Sequence, residues 1–222
     1  MPVDPPDEMA LAARLNALFP GLPGDCGNEA EPGTDESPRN RDWTRRSTTK
    51  DQTRIEQFLV AKLTPASRIL HIGIGNSSLA TRFCGHNRRV CGLTISLAEL
   101  EHAKSLHLPG YHVYLCNKYG MDFQAIQGPF DVLIDNNPTT FACCTRHFSR
   151  MLLGYRAKLA PGGIMIADRA GLAHLASDDP ALARWCFSPA DWATIGEIMG
   201  MMVAAQGEHV LTMQQTALQR AQ

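Results

Sequence analysis

Between residues 66 and 168 short apolar runs alternate with stretches of helical period, and this alternation restricts the chain to a narrow set of folds. Ile69 to Ile74 is predicted as a buried strand, Ser77 to Cys84 as a helix and Val90 to Ile95 as a second strand. A helix from about Leu97 to Leu106 follows, then strands at Tyr111 to Cys116 and Phe130 to Asp135, a long helix from Thr140 to Leu159, and a fifth strand at Gly163 to Asp168. Strands separated by helices in this cadence pair in parallel, because right-handed crossovers return the helices to the two faces of the sheet. The expected fold class is therefore α/β, a doubly wound and mostly parallel sheet. The tail extends it: Ser188 caps and Pro189 opens a helix to about Met199. Met201 to Ala205, a Gln206, Gly207 turn and Val210 to Met213 then predict a C-terminal antiparallel hairpin closing the far edge.

The first 54 residues read differently. Met9, Leu11, Leu15, Leu18 and Phe19 form one apolar helix face that ends at Pro20. Residues 21 to 40 are rich in Gly, Pro, Asp, Glu and Ser, the composition of a mobile connector. The stretch 41 to 53, RDWTRRSTTKDQT, sets Trp43 among four cations with no apolar neighbour. Two readings fit it. One is a solvated run of charges with Trp43 tucked against the domain; the other is a segment folding over a ligand, its indole offering an apolar face and Arg45 or Arg46 gripping a carboxylate. Ile55, Phe58, Leu59 and Leu63 then give a helical stripe that stops at Pro65. The expected organisation is a helix, connector and lid over residues 1–54 and a sheet domain over residues 55–222.

Composition removes several classes of function. Of 222 residues, 44% are apolar and 19% charged, which excludes a wholly disordered chain, a collagen-like repeat and a small disulfide scaffold. Twenty-one Lys plus Arg against 22 Asp plus Glu leave a formal charge of -1, so no strong field gathers a polyanion, and nucleic acid is not an expected partner. No apolar run approaches the roughly 20 residues of a membrane helix, and the acidic start MPVDPPDEMA does not read as a secretory signal. A soluble cytoplasmic protein with no membrane partner is expected. The seven cysteines stand at 26, 84, 91, 116, 143, 144 and 186 with no CxxC spacing, and the eight histidines make no HExxH or HxH pair. Reduced, small thiols that are buried or half-buried, and no metal, are the expectation.

In a doubly wound sheet, ligands lie at the carboxyl ends of the strands, so the turns after the strands carry most information. The first strand runs into His71, Ile72, Gly73, Ile74, Gly75, Asn76, Ser77 and Ser78. Two glycines one residue apart let the main chain bend sharply and come against a ligand that a Cβ would repel, and they equally suit a tight strand-to-helix connection. A dinucleotide fingerprint would want glycine at position 78, and the GxxxxGK[ST] phosphate loop is absent.

Five segments taken in order resemble the class I S-adenosylmethionine-dependent methyltransferases over roughly residues 55 to 215: HIGIGNSS, VCGLTIS, NKYGMDF, FDVLIDNNP and LAPGGIMIAD. The resemblance implies a Rossmann-like fold with S-adenosylmethionine as cofactor. It puts Gly73 and Gly75 beneath the methionine portion, with His71, Asn76 and Ser77 in the same turn. Thr94 falls where most members carry the ribose acid. Asn117 falls where the adenine amino group is met, with Tyr119 or Met121 packing on the ring. Asp135 and Asn136 end the fourth strand beside the sulfonium and the acceptor. Three positions depart from the family: His71 replaces an acid, Ser77 a glycine and Thr94 the ribose acid. GLTIS followed by Glu99 is similar to the GxTxS variant of cyclopropane fatty acid synthase relatives, in which a glutamine three residues after the serine serves the ribose. Glu99 occupies that place.

Methyl transfer from a sulfonium is an in-line displacement in which alignment does most of the work, and a base is needed only when the acceptor must lose a proton. Asp135, with Asn136, is the candidate for base or cofactor-amine contact, its ordinary alternative being a turn cap. His147 reads as a helix histidine. Asp168 and Arg169 follow the fifth strand at the mouth of the cleft or form a surface pair. The run Asp135 to Pro138 lacks the second proline and aromatic of adenine-N6 methyltransferases, Thr139 and Thr140 standing there instead, which argues again against nucleic acid. The expected function is methylation of a compact small-molecule acceptor, with Trp43, Arg45 and Asp168 toward the substrate and room for a homodimer. Two alternatives remain: a cyclase of the same fold that closes the aminobutyryl chain of the cofactor and releases methylthioadenosine, and a non-catalytic binding protein.

Overall fold

In the computed structural model, residues 7–29, 42–85, 87–173 and 179–215 are described. Two helices precede the sheet, α1 (Glu8–Leu18) and α2 (Lys50–Val60). The alternating body follows as β1 (Arg68–Ile72), α3 (Ser78–Phe83), β2 (Arg89–Thr94), α4 (Leu97–Ser105), β3 (Tyr111–Leu115), α5 (Met121–Ala125), β4 (Phe130–Asp135), α6 (Thr145–Lys158) and β5 (Leu159–Asp168). The end of the chain adds α7 (Arg169–Leu172), α8 (Pro180–Ala183), α9 (Pro189–Ile198) and the hairpin β6 (Met201–Gln206) and β7 (Val210–Gln215). The seven strands form one sheet in the order β3-β2-β1-β4-β5-β7-β6. The first five pair in parallel, and β7 inserts antiparallel between β5 and β6.

Side chains alternate across a strand, and both faces of this sheet are covered, so its central strands are apolar on both sides. From β1, Leu70 and Ile72 enter the larger core with Leu11 and Leu15 of α1, Phe148 and Met151 of α6 and Trp192 of α9. Ile69 points the other way, joining Ile134 and Ile166 under Ile55 and Leu59 of α2 and Leu79 of α3. The strand order reverses at β1: β2 and β3 lie on one side, β4 and β5 on the other. Ile72 pairs with both Leu93 and Asp135, so the carboxyl ends of β1, β2 and β4 are nearly level. That is the topological switch point, where such sheets bind ligands.

Several predicted boundaries move. The sequence stripe beginning at Ile55 belongs to a helix that starts at Lys50, with the Thr49 hydroxyl accepting from the Gln52 amide, so α2 runs through position 54. Residues 21–29 are not a loose connector. Leu22 is buried, and the carbonyls of Pro23 and Gly24 accept from the Thr145 and Arg146 amides at the start of α6. The remainder of the predicted connector, residues 30–40, lies outside the described residues. The helix expected from Thr140 starts at Thr145, because turns occupy the preceding stretch, with Thr140 N donating to Asn137 O and Ala142 N to Thr139 O. Among the described residues no helix is long and apolar enough to cross a membrane.

Candidate functional site

The chain leaves β1 through a bend in which three of five residues have left-handed backbone: Gly73 at φ 73°, Gly75 at φ 52° and Ser77 at φ 60°. The Gly73 amide donates to Leu93 O at 2.8 Å and Ser77 N to Ile74 O at 2.9 Å, so the bend is fixed to β2 and closed upon itself. At Gly73 an added Cβ would meet nothing within 4 Å, leaving bare main chain facing open space. Ser77 holds a conformation that disfavours any side chain by about 1–2 kcal/mol. Its buried hydroxyl lies 3.0 Å from the Tyr111 hydroxyl, a bond that offsets part of this. The structure thus keeps a glycine-type turn with serine in one of its positions.

Glu99 rises from α4 to face this bend. Its carboxylate accepts from the Thr94 hydroxyl at 2.7 Å and from the main-chain amides of Gly75 and Trp43. Burial pushes the Glu99 pKa up, while those three hydrogen bonds pull it down, with a net rise. Thr94 also accepts from the Ser96 amide at 3.0 Å, which locks the end of β2. One carboxylate therefore links the end of β2, the glycine bend and the segment carrying Trp43.

That segment is docked on the bend. Trp43 Cβ would lie 3.6 Å from a Cβ at Gly75. The Asn76 amide donates to Arg46 O at 2.9 Å and to the Thr48 hydroxyl at 3.2 Å. Arg45 and Arg46 are both exposed, and Arg46 lies over the Trp43 ring at 4.8 Å. The indole accordingly stands beside the bend, stacked under the second arginine of the pair.

At the end of β4 the predicted residues are brought close, but they are occupied. Asp135 is buried; its Oδ2 accepts from Lys118 Nζ at 2.8 Å and from the Tyr155 hydroxyl at 2.6 Å, and its Oδ1 from Asn137 N at 3.2 Å. Burial lowers the Lys118 pKa, and the Asp135 charge works against that fall. Asp135, expected as base or cofactor-amine contact, is the acceptor of a buried ion pair. Asn136 donates to the Asp51 carboxylate and accepts from Asp168 N at 3.3 Å. Asp168, expected at the substrate, is fully buried and clasped by Arg54 through two 2.8 Å bonds, and it caps α7 through Ala170 N. Tyr119, expected to pack on adenine, is buried in the larger core with its hydroxyl 2.7 Å from Pro138 O. Asn117 shapes that loop by accepting from Tyr119 N at 3.0 Å.

Sequence reasoning missed Lys118, Tyr155, Asp51 and Arg54. Asp51 and Arg54 stand three apart on α2, a spacing that puts both on one face, but their partners are distant in sequence. His71 is buried on β1 with Nδ1 lacking a hydrogen-bond partner, and burial pushes its pKa down to about 4. The folded state therefore holds fewer protons here than the unfolded chain between pH 4 and pH 6.5. Stability is full above the ordinary histidine range and falls as pH drops through that window, by about 3 kcal/mol for this group alone. Urea unfolding from pH 7 to pH 4 is expected to show this slope, and His71→Leu to flatten it. An unchanged slope in the variant would mean that His71 is not the titrating group.

The expectation of dispersed cysteines also needs correction. Cys26, Cys143, Cys144 and His147 converge, with their four donor atoms all within 4.8 Å of one another. Chain distance hid this, since Cys26 and Cys143 lie 117 positions apart and neither makes a CxxC pair. His147, read as an ordinary helix histidine, is the hub of that cluster.

No family model and no curated protein sequence matches the chain. Solved structures do. A TehB-like S-adenosylmethionine-dependent methyltransferase from Corynebacterium glutamicum aligns at a TM-score of 0.55 and 14% identity over 72% of this chain and 86% of that one. Magnesium protoporphyrin IX methyltransferase from Synechocystis, solved with the cofactor bound, gives 0.54 and 16% over 74% and 77%. The CcbJ methyltransferase from Streptomyces caelestis gives 0.59 and 15% over 76% and 97%. The chain has the class I Rossmann-like methyltransferase fold.

Proposed function

We propose that a chain with this fold uses S-adenosylmethionine to methylate a small-molecule acceptor. The observation that carries the reading is the juxtaposition at the switch point: bare main chain at Gly73, in the bend whose Gly75 amide donates to a buried carboxylate, Glu99, held by Thr94. The fit is chemical as well as spatial. Main chain with no Cβ in the way lets the amino-acid tail come close, and a carboxylate is the acceptor that a pair of ribose hydroxyls requires. Gly73, Gly75, Thr94 and Glu99 would hold the cofactor, which supplies an electrophilic methyl group on sulfonium. Asn117, in the loop after β3, would meet the adenine; Tyr119 is left out because it belongs to the core.

The remaining residues position and exclude. Trp43 covers the bend, and α2 is pinned across the ends of β4 and β5 by Asp51 to Asn136 and Arg54 to Asp168. With Asp135 committed to Lys118 and Tyr155, the carboxylate that ends β4 is not free to take an acceptor's proton. An acceptor that attacks through an existing lone pair, such as a neutral amine, suits this site better than an alcohol needing a base.

The same cover over the strand ends favours a second reading, a reaction confined to one ligand, in which the cofactor's own α-amine displaces methylthioadenosine. Incubation with S-adenosylmethionine, alone and with a panel of amine metabolites, separates the two by mass. S-adenosylhomocysteine formed only with an acceptor is the expected result. Methylthioadenosine accumulating without acceptor would overturn methyl transfer in favour of ring closure, and neither product from a chain that binds the cofactor would leave a binding protein.

A further inference from the structure

We infer that Cys26, Cys143, Cys144 and His147 form a tetrahedral zinc(II) site joining the segment after α1 to the start of α6. The three sulfurs surround one ring nitrogen: His147 Nδ1 lies 3.1 Å from Cys143 Sγ, 3.3 Å from Cys144 Sγ and 3.5 Å from Cys26 Sγ. A ring nitrogen has one proton or one lone pair, so it satisfies one thiol and not three. Hydrogen bonding therefore does not account for the convergence, whereas a shared central cation does. Metal–sulfur distances of about 2.3 Å and metal–nitrogen distances of about 2.0 Å make a tetrahedron with edges of about 3.8 Å between sulfurs and about 3.5 Å between sulfur and nitrogen. Cys143 Sγ lies 3.7 Å from Cys26 Sγ and 3.8 Å from Cys144 Sγ.

The donor set selects the metal and the role. Three thiolates with one imidazole suit zinc, and four protein ligands leave no open position, the pattern of a structural rather than a catalytic site. The far nitrogen, His147 Nε2, has no hydrogen-bond partner and lies 4.0 Å from Glu29 Oε2, where a carboxylate can orient a metal-bound imidazole. Binding releases the thiol protons to solvent and transfers no electrons. The ligands come from two places that already touch, through Thr145 N to Pro23 O and the Thr145 hydroxyl to Gly24 O. A metal here would lock the segment after α1 onto the loop that follows β4, the loop that also carries Asn136. This inference is independent of what the glycine bend binds.

Elemental analysis of the purified full-length protein is expected to give about one zinc per chain. Replacement by cobalt(II) is expected to give thiolate-to-cobalt absorption in the near ultraviolet and the strong visible bands of a tetrahedral site. Cys26→Ser lies in a surface segment and should fold, yet lose the metal to a chelator that the parent protein resists; His147→Gln should do the same, and Cys186→Ser should not. Each of three outcomes would overturn the assignment: a reduced, folded chain that takes up neither metal, a Cys26–Cys143 disulfide persisting under thiol reductant, or zinc content that none of the ligand substitutions alters.

Discussion

Lys118→Met is expected to destabilise the fold by about 3–5 kcal/mol, the effect of leaving a buried carboxylate without its cation. Lys118 Nζ lies 2.8 Å from Asp135 Oδ2 and 2.8 Å from Asn137 O, and both charged groups are buried. The substitution removes two hydrogen bonds and the compensating charge together. Asp135 then keeps only the Tyr155 hydroxyl and the Asn137 amide. Adding Asp135→Asn should recover most of the loss, because a neutral amide oxygen still accepts from Tyr155 and no ion remains to be solvated. Urea unfolding of the parent, both single variants and the double variant measures the coupling. A Lys118→Met variant within about 1 kcal/mol of the parent would mean that the pair is not ionised in the folded state. The same set bears on function: if Asp135 were the proton acceptor, Asp135→Asn in the restored background would abolish turnover, whereas a scaffold role leaves it measurable.

Gly73→Ala is expected to weaken S-adenosylmethionine binding on the order of hundredfold while the chain still folds. The protein itself does not oppose the new methyl group, since no atom lies within 4 Å of the added Cβ. Its only intrinsic penalty is the left-handed backbone at φ 73°, which lowers stability by about 1–2 kcal/mol. Any large effect on affinity must then come from what occupies the space in front of the bend. Calorimetric titration alongside thermal unfolding separates the two effects. Parent-like affinity in Gly73→Ala would place the ligand elsewhere.

The alternation of strand and helix was legible because each core strand is apolar over its length and bounded by turn residues. The strand Phe130–Asp135 follows a proline and ends at a pair of asparagines, and both its limits agree with the sequence reading. The start of α2 was not legible, because its first turn is held by Thr49, by the Arg54–Asp168 ion pair and by a hydrogen bond from Asn136 to Asp51 rather than by an apolar stripe. The site divides in the same way. Gly73 and Gly75 share one bend, and Thr94 and Glu99 are joined across the start of one helix; what brought the two pairs together was the resemblance of their segments to the methyltransferases. Asp135 and Asp168 were placed correctly at the strand ends, yet their charge is neutralised by Lys118 and Arg54, partners that only tertiary packing supplies. A lysine between Asn117 and Tyr119 carries no signal of burial in a single sequence. The thiol cluster is the extreme case, with Cys26 separated in sequence from the other three ligands by four of the five parallel strands.

Isothermal titration of the purified chain with S-adenosylhomocysteine, parent against Glu99→Gln, bears most directly on the bend and its facing carboxylate as a cofactor site. One binding event per chain is predicted for the parent, weakened about tenfold in the variant, which forfeits a charge-assisted hydrogen bond. A folded parent chain that gives no binding, or a variant that binds equally well, would contradict it.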